Sequence, residues 1–467
     1  MIVLKFGGAA LANSVQGKNT TSIIEQVRLE KPVVVVSAMR DVTNILESWL
    51  SDSIIKDLRQ EESPLRLLRK KHEDVLNDLV DKEEIKDDLS KALDFRLKEL
   101  DALLCSVANL REVTPKCRAH VLSFGERFSA RGLAGILNDK GIKAQPIDSR
   151  QIVRTDSNYL NASIDWVETR ELVRKTLLPL VEAGVVPVVT GFIGANASGD
   201  TTTLGRGGTD LTAALIANCL EAKEVRYYKE VEGFLSADPT IVEGGHHIAH
   251  MTYDEVAELS FFGAKILHPI AIRPLREKGI PATLRSFFEP QSSGTLVDNG
   301  AEEAGTKSWA ITSLKKVALV TVEGPGLLDN PGIAAKVFAA TAKARASVLM
   351  ISQSSSERNI CFVVPQKELE EVRAALEREL ELELIKGWVE RVDSEIEMAI
   401  LCVVGRSLRA HPEMGAKILS ALAKEKTEVH LLARGGSLLN LSCVIPMEKL
   451  HVALNSVHSA LTTYSGK

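Results

Sequence analysis

Short, unbroken apolar runs alternate with amphipathic stretches along the N-terminal part of the chain. Residues 2–6 (Ile-Val-Leu-Lys-Phe), 33–36 (four valines) and 185–189 (Val-Val-Pro-Val-Val) lack the every-second polar position of a half-exposed strand. Strands buried on both faces read this way, so the pattern predicts a mostly parallel sheet sandwiched by helices, an α/β fold. Residues 45–118 break the rhythm: leucines such as Leu65, Leu68, Leu76 and Leu79 recur at helical spacing among Lys, Glu and Asp. This segment reads as a helical insertion at the edge of the sheet. A turn at Phe287-Phe288-Glu289-Pro290 and a polar linker at 298–307 close the first domain, placed at residues 1–296.

After the linker the chain repeats itself. Pro331 aligns with Pro412, Ala335-Lys336 with Ala416-Lys417, Asn359 with Asn440 and Val363 with Val444, a constant offset of 81 residues. Each copy reads strand, helix, strand, loop, strand, which predicts two small α+β modules, at 310–392 and 393–467.

The 467 residues suffice for several cores, and a net charge of −5 with 25% charged residues shows no basic excess. Nucleic acid is therefore not an expected partner. Six scattered cysteines read as reduced thiols. No apolar run reaches membrane-spanning length, and a strand pattern begins at Met1 with no leader-like segment. The expectation is a cytoplasmic protein with no membrane partner.

The densest chemistry lies at residues 201–210, Thr-Thr-Thr-Leu-Gly-Arg-Gly-Gly-Thr-Asp, between a strand pattern and a helix pattern. Glycines let backbone N–H groups approach an anion, a helix N-terminus adds partial positive charge, and arginine forks onto carboxylate or phosphate. An ordinary strand-to-helix turn needs no Arg206–Asp210 pair. Lys5 ends a strand pattern ahead of Gly7 and Gly8, and Lys265 follows Phe262-Gly263-Ala264. Two lysines held apart by Asp210 suit phosphoryl transfer, which needs charge stabilisation more than covalent help. No GxxxxGK[ST] loop is present. His246, His247 and His250 follow two glycines without a second ligand pair and read as a surface loop; no metal site is expected in the protein.

Six segments, Lys5-Phe6-Gly7-Gly8, Val36-Ser37-Ala38-Met39, Ser123-Phe124-Gly125-Glu126-Arg127, Gly191-Phe192-Ile193-Gly194, Thr203 to Asp210, and Phe262 to Pro269, resemble the aspartokinases of the amino acid kinase family. The repeats resemble their two ferredoxin-like ACT domains. That resemblance implies transfer of the ATP γ-phosphate to the side-chain carboxylate of aspartate, giving 4-phospho-L-aspartate, at the entry to lysine, threonine and methionine synthesis. It implies catalytic Lys5, Asp210 and Lys265. Glu126 would take the substrate ammonium and Arg206 its α-carboxylate, with Ser37, Thr43, Phe192 and Thr209 lining the pocket. Gly7, Gly8, Lys229, Glu230, Gly233, Phe234, Asp238 and Lys265 would meet the nucleotide, with Mg2+ held through its phosphates. In the first repeat Ser352, Gln353, Ser354, Asn359 and Ile360 would bind a lysine or threonine effector, and the ACT modules would pair two copies into a homodimer. A carboxylate of pKa about 3.9 is already ionised at neutral pH, so no general base is required.

The chain departs from the family pattern at Ala9-Ala10, where Thr-Ser is usual, and at Leu235, Thr240 and Ile270. These changes fall on the nucleotide side and predict altered ATP affinity. Two other readings stand beside the leading one: a kinase for another acidic amino acid, and a catalytically weak amino acid sensor.

Overall fold

The computed structural model describes residues 1–52, 64–264, 266–300, 308–330, 332–353 and 358–463. The expected positions Lys265 and Ser354, and part of the expected helical insertion, lie outside the described residues. The chain divides into two compact units, Met1–Phe234 with Ala249–Val256 and Ile266–Glu302, and Leu235–Ile248 with Ala257–Lys265 and Glu303–Lys467.

The first unit is built on an eight-stranded sheet in the order Ala144–Ile147, Val186–Thr190, Pro32–Val36, Ile2–Phe6, Val225–Lys229, Ala282–Ser286, Thr295–Asp298 and His250–Thr252. The first six run parallel. The apolar runs at 2–6, 33–36 and 185–189 become three neighbouring central strands, buried at every residue of Ile2–Phe6, Pro32–Val36 and Val186–Thr190. Alternate side chains face opposite ways. Ile2, Leu4, Phe6, Val34, Val36 and Tyr228 share one core with the insertion helices. The longest of these, Glu83–Leu110, turns a single stripe inward, Leu89, Leu93, Leu97, Leu100, Leu104 and Val107, at the three-and-four spacing the sequence carries. The opposite parity, Val3, Lys5 and Tyr227, faces the helix Gly208–Leu220, every residue of which is buried.

The second unit contains a six-stranded sheet, ordered Met350–Gln353, Asn359–Pro365, Ala310–Glu323, Arg391–Val404, Asn440–Pro446 and Leu431–Ala433, with every pairing antiparallel. The sequence repeat is visible in the backbone. Lys316 and Glu397 both adopt positive φ (57° and 54°), as do Arg345 and Lys426 (54° and 49°), each pair 81 residues apart. The two cores do not separate at one point of the chain. Strand Ala310–Glu323 gives Ile311 to a core with Leu401, Ile418 and Leu454, and Ala318, Val320 and Val322 to a core with Val337, Phe362 and Val372.

Candidate active site

Strand parity assembles the charged centre. In the parallel pairing of Ile2–Phe6 with Val225–Lys229, Lys5 stands opposite Tyr227, two residues before Lys229. Lys5, Tyr227 and Lys229 therefore share a face, while Phe6 and Tyr228 stack on the other with ring centroids 4.9 Å apart. All three reach Asp210, in the first turn of the helix Gly208–Leu220. Lys5 Nζ lies 2.6 Å from Asp210 Oδ1, Lys229 Nζ donates to both carboxylate oxygens at 3.0 and 2.9 Å, and the Tyr227 hydroxyl donates to the Asp210 carbonyl at 3.2 Å.

The electrostatics of this trio are unbalanced. Burial pulls the Lys5 ammonium down to about 8, with Asp210 opposing and Lys229 reinforcing the shift. Burial also works to raise the Asp210 carboxyl, but Lys229 and then Lys5 outweigh it and hold it at about 2. Two ammonium groups share one carboxylate, leaving a surplus positive charge in a site where Lys5 is only 4% exposed. An incoming phosphate oxygen answers that surplus.

The glycines around the trio have separate reasons. A Cβ on Gly207 (φ 76°) would fall 2.3 Å from the His268 side chain, and one on Gly8 would fall 2.6 Å from the Ala38 carbonyl. Gly8 thus lets the segment 37–40 close over the strand end, where Arg40 N–H donates to Gly8 O at 2.8 Å. A Cβ on Gly7 would meet only the Lys5 ammonium and the Tyr228 carbonyl, each at 3.9 Å.

A cavity of about 290 Å³ opens beside the trio, lined by Lys5, Ser37, Thr43, Glu126, Phe192, Arg206, Thr209, Asp210 and the glycines of the 205–208 turn. All six residues expected at the amino acid pocket line it. Glu126 is 3% exposed; its Oε1 accepts from Ala38 N–H at 3.1 Å and its Oε2 is buried with no hydrogen-bond partner. Burial raises this carboxyl to about 8 against the pull of the Ala38 N–H. Such a group is poised to ionise when a cation arrives. Arg206 is exposed at the mouth. Phe192 holds φ at 70°, an unusual conformation for an aromatic residue, fixed by its N–H donating to Thr212 Oγ1 at 3.1 Å and its carbonyl accepting from Leu204 N–H at 2.8 Å. A Cβ on Gly191 would lie 2.3 Å from Thr209 Cγ2, so glycine there admits Thr209 to the pocket.

Ionisation of Glu126 has a direct kinetic consequence. Its raised pKa keeps it neutral below about 8, and an ammonium ligand requires the anion. With saturating nucleotide, kcat/KM for an amino acid carrying that ammonium should climb about tenfold per pH unit below 8 and stop climbing near 8, where the Lys5 ammonium, also held at about 8, begins to lose its proton. In Glu126→Gln the climb should vanish; a profile that still rises in the variant would remove Glu126 from this role.

The residues expected at the nucleotide scatter in environment. Glu230 forms an ion pair with Arg40. Gly233 has a positive φ of 146°, and Phe234 is a core residue, 1% exposed, whose N–H donates to Thr295 Oγ1 at 2.8 Å. Asp238 belongs to the second unit, where it accepts from Thr240 N–H at 2.9 Å and Oγ1 at 2.6 Å. Sequence reasoning placed Lys265 beside Lys5 on Asp210; among the described residues the second ammonium there is Lys229. It also passed over Tyr227 and His268. The imidazole of His268 is pushed down by burial, with Asp210 opposing and Arg206 adding to the shift. The shared parity of Lys5 and Lys229 was the available signal, once the two strands are taken as neighbours.

Of the expected effector residues, Ser352 and Gln353 lie on the edge strand Met350–Gln353, and Asn359 and Ile360 begin the adjacent strand. In the second repeat the Asn440 amide is engaged: its oxygen accepts from Gly435 N–H at 2.8 Å and its nitrogen donates to Glu258 at 2.6 Å.

Comparison with known proteins places these features in a family. Residues 1–286 match the model of the amino acid kinase family, and residues 320–380 and 401–461 each match an ACT domain. The chain is 31% identical over 467 residues to the chloroplastic bifunctional aspartokinase/homoserine dehydrogenase 1 of Arabidopsis thaliana, covering 98% of this chain and 50% of that protein. It is 29% identical to chloroplastic aspartokinase 1 of the same plant, over 98% of this chain and 79% of that one. The chain thus spans about half the length of the bifunctional relatives. Its fold superposes on E. coli aspartokinase III in complex with aspartate and ADP with a TM-score of 0.82 and 27% identity, covering 99% of this chain and 100% of that one. The complex of the same enzyme with lysine and aspartate gives a TM-score of 0.76 at 28% identity, over 99% of each chain. The chain belongs to the amino acid kinase family and carries two ACT domains after its kinase domain.

Proposed function

We propose that this chain is an aspartate kinase, transferring the γ-phosphoryl group of ATP to the side-chain carboxylate of L-aspartate to give 4-phospho-L-aspartate and ADP. The observation that carries the proposal is one cavity lined by Lys5 and Asp210, the latter also held by Lys229, and by Arg206 and Glu126, whose Oε2 has no hydrogen-bond partner. Glu126 takes the ammonium and Arg206 the α-carboxylate of a zwitterion, which leaves the side-chain carboxylate free to react. That carboxylate attacks the γ-phosphorus, the bond to the β-phosphate oxygen breaks, and ADP departs with the electron pair. No proton needs to move. Lys5 and Lys229 neutralise charge on the migrating group, held in place by Asp210. Magnesium arrives with the nucleotide's phosphates, since the carboxylates lining this cavity are Glu126 and the doubly engaged Asp210.

The likeness to an aspartokinase bound to aspartate and ADP supports this reading. ADP release with L-aspartate, L-glutamate and N-acetyl-L-glutamate as acceptors tests it. Aspartate should be preferred and acetylglutamate, lacking a cationic amine, should be inert; turnover of acetylglutamate at the aspartate rate would overturn the assignment of Glu126.

The ACT unit is proposed to regulate this activity. A lysine complex of a similar enzyme supports lysine as effector, and residues 352–360 of the first repeat are the proposed site. Ile351 and Leu432, 81 residues apart on the two edge strands, are 51% and 42% exposed, which favours pairing of two copies. Calorimetry with lysine and threonine, alongside light scattering, should show binding beyond the aspartate pocket and a dimeric mass; a monomer that binds neither amino acid would remove the regulatory role.

A further inference from the structure

A second cavity in the kinase unit, about 540 Å³, lies between the insertion helices and the sheet and shares no lining residue with the first. Its walls include Leu76, Leu89, Leu93, Phe128, Leu133 and Ile147, contributed by helices Pro64–Leu79, Glu83–Leu110 and Phe124–Asp139 and by strand Ala144–Ile147. Among these apolar walls stands Arg127, 7% exposed. Its Nη2 donates to Glu99 Oε2 at 3.2 Å, an oxygen that already accepts from Arg96 at 2.8 Å. Its Nε approaches Asp148 Oδ2 only to 3.7 Å, and that carboxylate is gripped by Arg150 through contacts of 2.6, 2.9 and 3.1 Å. Nε and Nη1 of Arg127 are both buried without a hydrogen-bond partner. Three guanidinium groups thus divide two carboxylates, and the surplus charge falls on the most buried of the three. Burial first, then the neighbouring Arg150 and Arg96, pull the Arg127 pKa down to about 10, opposed by Glu99 and Asp148.

A buried, partly unpaired guanidinium costs free energy unless an anion completes it. The surplus is a single charge, which fits a monoanion better than a phosphate dianion. Zwitterions are disfavoured because both nearby carboxylates are already engaged by arginines. His72 adds no charge: burial holds its imidazole down at about 4, and its Nδ1 donates to the Leu68 carbonyl at 2.8 Å. The cavity volume falls in the range of sites for small organic ligands, about 300–1,000 Å³.

We propose that this cavity is a binding site for a small apolar carboxylic acid, its carboxylate on Arg127 and its hydrocarbon body among the leucines and Phe128. Because the readout is binding and not turnover, the proposal stands or falls apart from the kinase reading.

Octanoate and 4-phenylbutanoate, each compared with its primary amide, are the probes, titrated by calorimetry and thermal shift on the full chain. At least one acid should bind saturably and its amide at least tenfold more weakly, the loss expected for a charge-assisted contact. Arg127→Gln should weaken the acid about tenfold or more. Ala92→Trp, which fills the cavity from the Glu83–Leu110 helix while leaving every arginine in place, should abolish binding. Absence of saturable binding by both acids, equal affinity for acid and amide, or unchanged binding in Ala92→Trp would each overturn the proposal.

Discussion

Replacement of Lys5 by methionine should lower kcat about a thousandfold, a barrier increase of about 4 kcal/mol. The magnitude follows from the position of the ammonium: 4% exposed, 2.6 Å from Asp210, on the one face of its strand that looks toward the candidate phosphate site. Charge on a migrating phosphoryl group is stabilised far more strongly there than in water, and no solvent can replace the lost cation. The fold should tolerate the change, because Asp210 keeps both contacts to Lys229 and the methionine preserves the buried stem. Steady-state kinetics beside a thermal melt separates these effects. A variant that melts normally and retains more than a tenth of kcat would show that phosphoryl transfer does not depend on Lys5.

Arg206→Ala should raise the KM for aspartate roughly ten- to a hundredfold while leaving kcat within a few-fold. The lost interaction, a charge-assisted contact to the α-carboxylate, contributes about 1.5–3 kcal/mol and is made equally in the ground and transition states. Arg206 is exposed beside two glycines of positive φ, Gly205 and Gly207, so its truncation leaves the packing of the helix Gly208–Leu220 untouched. A fall in kcat with unchanged KM would instead place this guanidinium on the phosphoryl group.

Much of the fold was legible because strand burial and internal repetition leave direct marks. The valine runs have no polar alternation because both faces of the central strands are covered, and the 81-residue offset persists in the backbone at Lys316 and Glu397. Part of the cavity lining was legible: the Arg206–Asp210 segment stands out by its own chemistry and Glu126 through the family resemblance, and both line one cavity. The partner of Lys5 was harder. Lys229 belongs to Asp210 only because strands distant in sequence become neighbours with Lys5 opposite Tyr227, a register that no local pattern encodes. For the same reason Gly8, read as a phosphate loop residue, has a packing duty against the Ala38 carbonyl. The division of the repeat was obscured by the strand Ala310–Glu323, which serves two cores in succession. Nor could the second cavity be foreseen, since Arg96, Arg127 and Arg150 meet only when the insertion helices dock against the sheet.

The changes from the family pattern look different beside the structure. Ala10 is wholly buried, and its carbonyl accepts from Thr20 Oγ1 at 2.8 Å, so this position is taken up in packing the strand end against the following helix. Lys229 adds a cation directly on Asp210. Two ammonium groups therefore bear on the one Asp210 carboxylate.

The most direct measurement traps the product. A 4-phosphoaspartate, being an acyl phosphate, reacts with hydroxylamine to give the side-chain hydroxamate and release phosphate. Incubation of the full chain with ATP, magnesium, L-aspartate and hydroxylamine should yield β-aspartyl hydroxamate in step with ADP, and the Lys5→Met variant should yield about a thousandth as much. No hydroxamate from the unaltered chain, or an equal yield from the variant, would contradict the account.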